Sequence, residues 1–141
     1  MDIQIYENLK DCLTQYFASL NLAKEYNPPI VEVEPSSPTY PLLKFVEIRN
    51  VPYEQHRHHL ETVANLGYRV DIYAKSIAKN KTSKSTIART IAKHCNDFLT
   101  MCKRLRQVSW NVFENDGVNG DLYHIVIMYS APYYEQRKRI L

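Results

Sequence analysis

Leu60-Glu61-Thr62-Val63-Ala64-Asn65-Leu66-Gly67-Tyr68-Arg69-Val70-Asp71-Ile72-Tyr73-Ala74 is the stretch on which the fold turns. Its even positions are Leu60, Thr62, Ala64, Leu66, Tyr68, Val70, Ile72 and Ala74, while the odd ones include Glu61, Asn65, Arg69 and Asp71, with Lys75 next in the series. Side chains alternate across a strand with period two, so the even set can face a core while the odd set faces water or another subunit. A strand of this length spans about 50 Å at roughly 3.3 Å per residue, longer than a compact domain of this size is wide. Part of it is therefore expected to project and to find pairing elsewhere, because an exposed strand edge templates association.

Upstream, Ile5, Leu9, Leu13, Phe17 and Leu20 recur at spacings of four and three, with Tyr6, Cys12 and Tyr16 beside them, which predicts an amphipathic helix. Asn27-Pro28-Pro29 stops helical continuation, Ile30 to Glu34 reads as a short strand, and the three prolines between Pro35 and Pro41 give a stiff connection. Leu42 to Arg49 reads as a second strand, with Leu43 and Phe45 on one face and Leu42, Val46 and Ile48 on the other, ended by Asn50-Val51-Pro52.

Downstream of the long strand, a lysine-rich turn leads into a helix capped by Ser83 or Ser85. Ile87, Ile91, Cys95, Phe98 and Cys102 form its apolar stripe. Val108, Trp110 and Val112 then alternate with polar residues, Asn115 to Gly120 supplies a tight turn, and Leu122 to Ser130 is apolar on both parities. The last run is expected to be a central strand covered on both sides, antiparallel to the Trp110 strand. The fold class that follows is α+β: two helices packed on a largely antiparallel sheet of four to five strands, with one long projecting strand or hairpin.

At 141 residues the chain is expected to be one domain. Its net charge of +3 is too small to point to nucleic-acid binding. Three cysteines, Cys12, Cys95 and Cys102, form an odd number without CxxC spacing, which reads as reduced thiols in a cytosolic setting. The opening residues lack the basic and apolar regions of a signal peptide, and no run is long enough for a membrane span, so neither export nor membrane partners are expected.

His56-Arg57-His58-His59 is the densest set of potential metal ligands, but no further ligand group lies at a suitable spacing, and these histidines read as polar surface residues. His94 adjoins Cys95 without facing it, and the cysteines read as packing residues. No Gly-rich phosphate loop, GxSxG or HExxH occurs, so no cofactor, metal or catalytic residue is assigned and the chain is not expected to be an enzyme. Lys79, Lys81 and Lys84, together with Arg137, Lys138 and Arg139, form basic clusters that allow weak contact with DNA or a partner. They carry the alternative reading, a small nucleic-acid-binding or regulatory module.

Three segments in order resemble the tail terminator or tail-completion proteins of long-tailed bacteriophages, a group that includes minor capsid and neck proteins. They are Tyr40-Pro41-Leu42-Leu43-Lys44-Phe45-Val46-Glu47-Ile48-Arg49-Asn50, then Leu66 to Ala74 behind its His/Glu-bearing lead, and Tyr123-His124-Ile125-Val126-Ile127-Met128-Tyr129. The resemblance covers most of the chain and rests on structural patterns, and the segment Leu105 to Trp110 lacks the glycine-phenylalanine pair common in that family. It implies a virion structural protein that forms a ring, typically hexameric, at the head–tail joint, assembled in the host cytoplasm. The ring would cap the tail tube, end tail growth and meet the head-completion or connector protein. Genomic DNA would pass through the lumen without tight binding. On this reading His58, Glu61, Arg69, Asp71, Tyr73 and Lys75, on the odd face and at the overhanging end of the long strand, are the candidate subunit or partner contacts.

Overall fold

The computed structural model describes residues 4–52, 61–76 and 82–136, without the side chains at 4, 50–52, 61–65 and 132–136. The fold is α+β, with two helices, α1 (Gln4–Leu20) and α2 (Lys84–Asp97), packed on a mixed five-stranded sheet. The strands are β1 (Ile30–Val31), β2 (Leu42–Pro52), β3 (Glu61–Ala74), β4 (Arg106–Asp116) and β5 (Leu122–Gln136), in the spatial order β1-β2-β3-β5-β4.

The period-two reading of the long strand holds on its even side from Leu66 to Ala74, while Leu60 and the side chains of Thr62 and Ala64 lie outside the described residues. Leu66, Tyr68, Val70, Ile72 and Ala74 are buried in one core with Leu43 and Phe45 of β2 and Tyr123, Ile125, Ile127 and Tyr129 of β5. Both helices cover this face: α1 contributes Tyr6, Leu13 and Phe17, and α2 contributes Ile87, Ala88, Ile91, Ala92 and Cys95. Aromatic rings stitch the layers. Phe45 stacks on Tyr6 of α1 at 5.4 Å and on Tyr68 of β3 at 5.6 Å, and Tyr16 stacks on Phe98 at 4.7 Å. The Tyr6 hydroxyl also donates to the Phe45 carbonyl, tying the first turns of α1 to β2.

Several expectations need correction. Only Ile30 and Val31 of the Ile30–Glu34 stretch pair, and they do so in parallel with Leu43 and Lys44, which makes the sheet mixed. β2 continues through Pro52 because it crosses an irregularity between Glu47 and Arg49 and then resumes pairing with β3 as far as Ala64. Gly67 permits this: a Cβ there would meet the Arg49 Cβ at 3.0 Å and the Ile48 Cγ1 at 3.2 Å. The larger correction concerns β3. It is a central strand, hydrogen-bonded to β5 from Glu61 through Ala74 and to β2 from Ala64 through Tyr73, so its ladder is filled on both sides from Ala64 to Tyr73, while the expected overhanging end at His58 and Leu60 lies outside the described residues. Among the described residues the long free edges are not on β3 but at the ends of the sheet, on β4 and on the part of β2 beyond the two-residue β1.

Ser83 is the N-cap of α2, its Oγ accepting from the Thr86 amide at 3.2 Å. The expected apolar stripe breaks at its end. Phe98–Cys102 forms a π-turn, whose wider winding rotates the following positions, so Leu99 is fully buried and Cys102 is exposed. Cys102 is therefore not a packing residue. The 115–120 turn behaves as expected, with positive φ at Gly117 and Gly120.

The core holds one clear hydrogen-bond contrast. The buried Tyr129 hydroxyl donates to Asn96 Oδ1 at 2.8 Å, whereas the buried Tyr68 hydroxyl has no partner among the described residues. Removing a made bond costs about 1 kcal/mol and removing an unmade one costs nothing. Tyr129→Phe is expected to lower the urea midpoint accordingly, and Tyr68→Phe to leave it unchanged or raise it, with unaltered m-values.

Candidate assembly face and edge

The sheet face opposite the helices is organised in lateral rows. Register puts Leu42, Tyr73, His124 and Phe113 in one row, Lys44, Asp71, Val126 and Asn111 in the next, and Val46, Arg69, Met128 and Ser109 in the third. The odd positions of β3 thus meet the even positions of β5. Asp71, expected to face water or a neighbour, is only 2% exposed.

The reason is His124. Its ring lies between Tyr73, stacked at 4.1 Å, and Phe113 at 5.5 Å. His124 Nε2 is 2.7 Å from Asp71 Oδ1, and His124 Nδ1 is 2.7 Å from Asp116 Oδ2. Each ring nitrogen of His124 thus faces a carboxylate oxygen. Arg69 completes the group with a fork onto Asp71, Nε to Oδ2 and Nη2 to Oδ1, both at 2.9 Å. Burial works against the charged form of Asp71, but the hydrogen bonds from His124 and Arg69 outweigh it and hold the carboxyl below its usual range. Burial, and then the Asp71 charge, push the Tyr73 phenol up to about 12.

The group ties β3, β5 and the end of β4 together across this face. Both His124 ring nitrogens lie 2.7 Å from carboxylate oxygens of this chain, one on β3 and one at the end of β4. Among the described residues no group of three or more His, Cys, Asp or Glu is arranged to hold a metal ion. Burial pushes the Cys95 thiol up, away from thiolate reactivity. A cleft of about 380 Å³ lies at the edge of the face, lined by Glu34, Tyr40, Tyr73, Lys75, Asp116 and Asp121 among others. Lys75 is held there, 3.3 Å from Asp121 and over the Tyr40 ring.

Of the predicted contact residues, Arg69, Asp71, Tyr73 and Lys75 come together on this side of the sheet, with Arg69 as the exposed tip of a buried group. His58 and the side chain of Glu61 lie outside the described residues, as do Lys79, Lys81, Arg137, Lys138 and Arg139. Lys84 starts α2, its amide on Ser76 Oγ at 3.1 Å and its Nζ on Asn115 Oδ1 at 3.5 Å, so it braces the β4–β5 turn. The residues missed from sequence were His124 and Asp116. Their signal was present: His124 interrupts an otherwise apolar strand, and Asp71 does the same in β3.

The second exposed feature is β4. Along the described strand only Ser109 and Asp116 are half-buried, and Val108, Trp110, Val112 and Phe113 are 57%, 37%, 41% and 51% exposed. Among the described residues no strand pairs with its outer side. A long edge bearing apolar side chains is a site of association.

No protein-family model matches this sequence, and no curated protein matches it either.

Proposed function

We propose that this chain is a virion structural subunit of the tail terminator type, which closes into a hexameric ring on the end of a phage tail tube. The observation that carries this reading is the β4 edge, where four exposed apolar side chains lie on a strand unpaired on its outer side among the described residues. A closed ring buries such an edge against a different surface of the next subunit, which a monomer leaves in water. The resemblance of the β2, β3 and β5 segments to tail-completion proteins agrees with it. The action is steric: one side of the ring covers the last tier of tail tube protein and stops growth, and the other presents a surface to the head-completion or connector protein. Genomic DNA passes through the lumen without tight binding, as suits a net charge of only +3. No bond is made or broken.

The test is sedimentation and negative-stain microscopy of the purified chain, alone and mixed with tubes of the tail tube protein from the same phage. Rings of about six subunits, free or seated on tube ends, are expected for closed cyclic assembly. A monomer that neither forms rings nor binds tube ends overturns the reading. A salt-dependent gel shift with random-sequence DNA at near-physiological ionic strength would favour the nucleic-acid module instead.

A further inference from the structure

The sheet has two open edges, and the strand directions make them complementary. β2, β3, β5 and β4 alternate, each antiparallel to its neighbour, so β4 runs opposite to β2. Repeating the unit by rotation about an axis roughly parallel to the strands therefore brings β4 of one copy alongside β2 of the next in antiparallel orientation. An even number of alternating strands is the condition for continuing an antiparallel sheet from copy to copy without a break. β1 does not obstruct this, since it covers only Leu43 and Lys44 and leaves the rest of β2 uncovered on that side among the described residues.

We infer that the subunit joint, on the ring reading above, is β4 of one copy paired antiparallel with the Arg49–Pro52 part of β2 in a second copy. Charge sets the register. Arg49 and Glu114 are both exposed, and neither has an ion-pair partner among the described residues. Setting Arg49 opposite Glu114 places Pro52 opposite Asn111, so that the joint uses the stretch of β2 beyond its irregularity and Asn111 to Glu114 of β4, at the start of the irregularity between Phe113 and Asp116. Exposed apolar groups flank the ladder on both partners, Ile48 from one and Val112 and Phe113 from the other. The backbone ladder supplies affinity, while the charge pair and the flanking side chains supply specificity.

Disulfide trapping tests the joint. In a Cys102→Ser background, which removes the exposed native thiol, Arg49→Cys with Glu114→Cys is oxidised at protein concentrations where the unmodified chain forms rings. Directly opposed strand residues hold their Cβ atoms about 4.5–5.5 Å apart, close enough for modest adjustment to close a disulfide. The expected result is a covalent ladder extending to the full ring, absent in either single variant. Rings without a ladder overturn this joint and leave the ring reading standing. A covalent dimer from Glu114→Cys alone means that two β4 edges meet each other, and also overturns it. An unmodified chain that forms no rings, alone or on tubes, overturns the ring reading itself and this joint with it.

Discussion

His124→Leu is expected to lower the stability of the folded chain by about 1–3 kcal/mol, the cost of leaving a buried acceptor without its hydrogen bond. The side chains of His124 and Asp71 are 9% and 3% exposed, so the deletion leaves a buried carboxylate with Arg69 as its remaining side-chain partner. Asp116 suffers less, because its side chain is 43% exposed and water can replace the lost bond. The double variant His124→Leu with Asp71→Leu is expected to recover most of the loss, since replacing both partners of a buried hydrogen bond by apolar groups is often nearly neutral. Acid dependence gives an independent check. The folded-state pKa of Asp71 is depressed, so its contribution is present above the ordinary aspartate value of about 4 and is lost as pH falls through the lower folded value. Urea midpoints measured between pH 7 and pH 2 should show this acid-sensitive component in the parent chain and a smaller one in His124→Leu. Equal losses for the single and double variants would mean that the group contributes through packing alone.

Phe45→Ala is the second large effect, expected at about 3–5 kcal/mol for removing a fully buried aromatic side chain. Phe45 is the middle ring of a three-ring stack, and the ring contacts with Tyr6 and Tyr68 add roughly 0.5–1.5 kcal/mol each beyond the area they bury. The loss falls where α1 meets the sheet. Phe45→Leu keeps most of the volume and should cost less than half as much by urea denaturation. Equal losses in the two variants would mean that ring stacking outweighs filled volume at this position.

The sequence disclosed the helix-covered face of the sheet and concealed most of the other. Leu66 to Ala74, Leu43 with Phe45, and the stripe from Ile87 to Cys95 are apolar at the period of their element, and burial follows that period directly. The opposite face was harder because its polar residues are buried by pairing with one another. Asp71, Arg69 and His124 look solvated one at a time, and only the register between β3 and β5 shows them closing on themselves. Strand length misled in a similar way. Length alone suggested that β3 overhangs its partners, whereas β5 follows it from Ala74 back to Glu61 and, among the described residues, the free edge passes to β4. The Cys102 position failed for a local reason, since one π-turn is enough to move a residue out of a helical stripe whose spacing in sequence remains regular.

The position of β5 bears on how the chain reaches its fold. It follows β4 in the chain, yet it lies between β3 and β4, and its pairing with β3 joins positions as far apart in sequence as Glu61 and Gln136. Until it arrives, β3 has one bare side and the two helices have only part of the sheet to cover. Such long-range closure is slow compared with local pairing, and it leaves an apolar strand open during synthesis. Nascent chains stalled between β4 and β5 should therefore be sticky and protease-sensitive. Protection should come in a single step, once β5 is free to pair with β3 and β4.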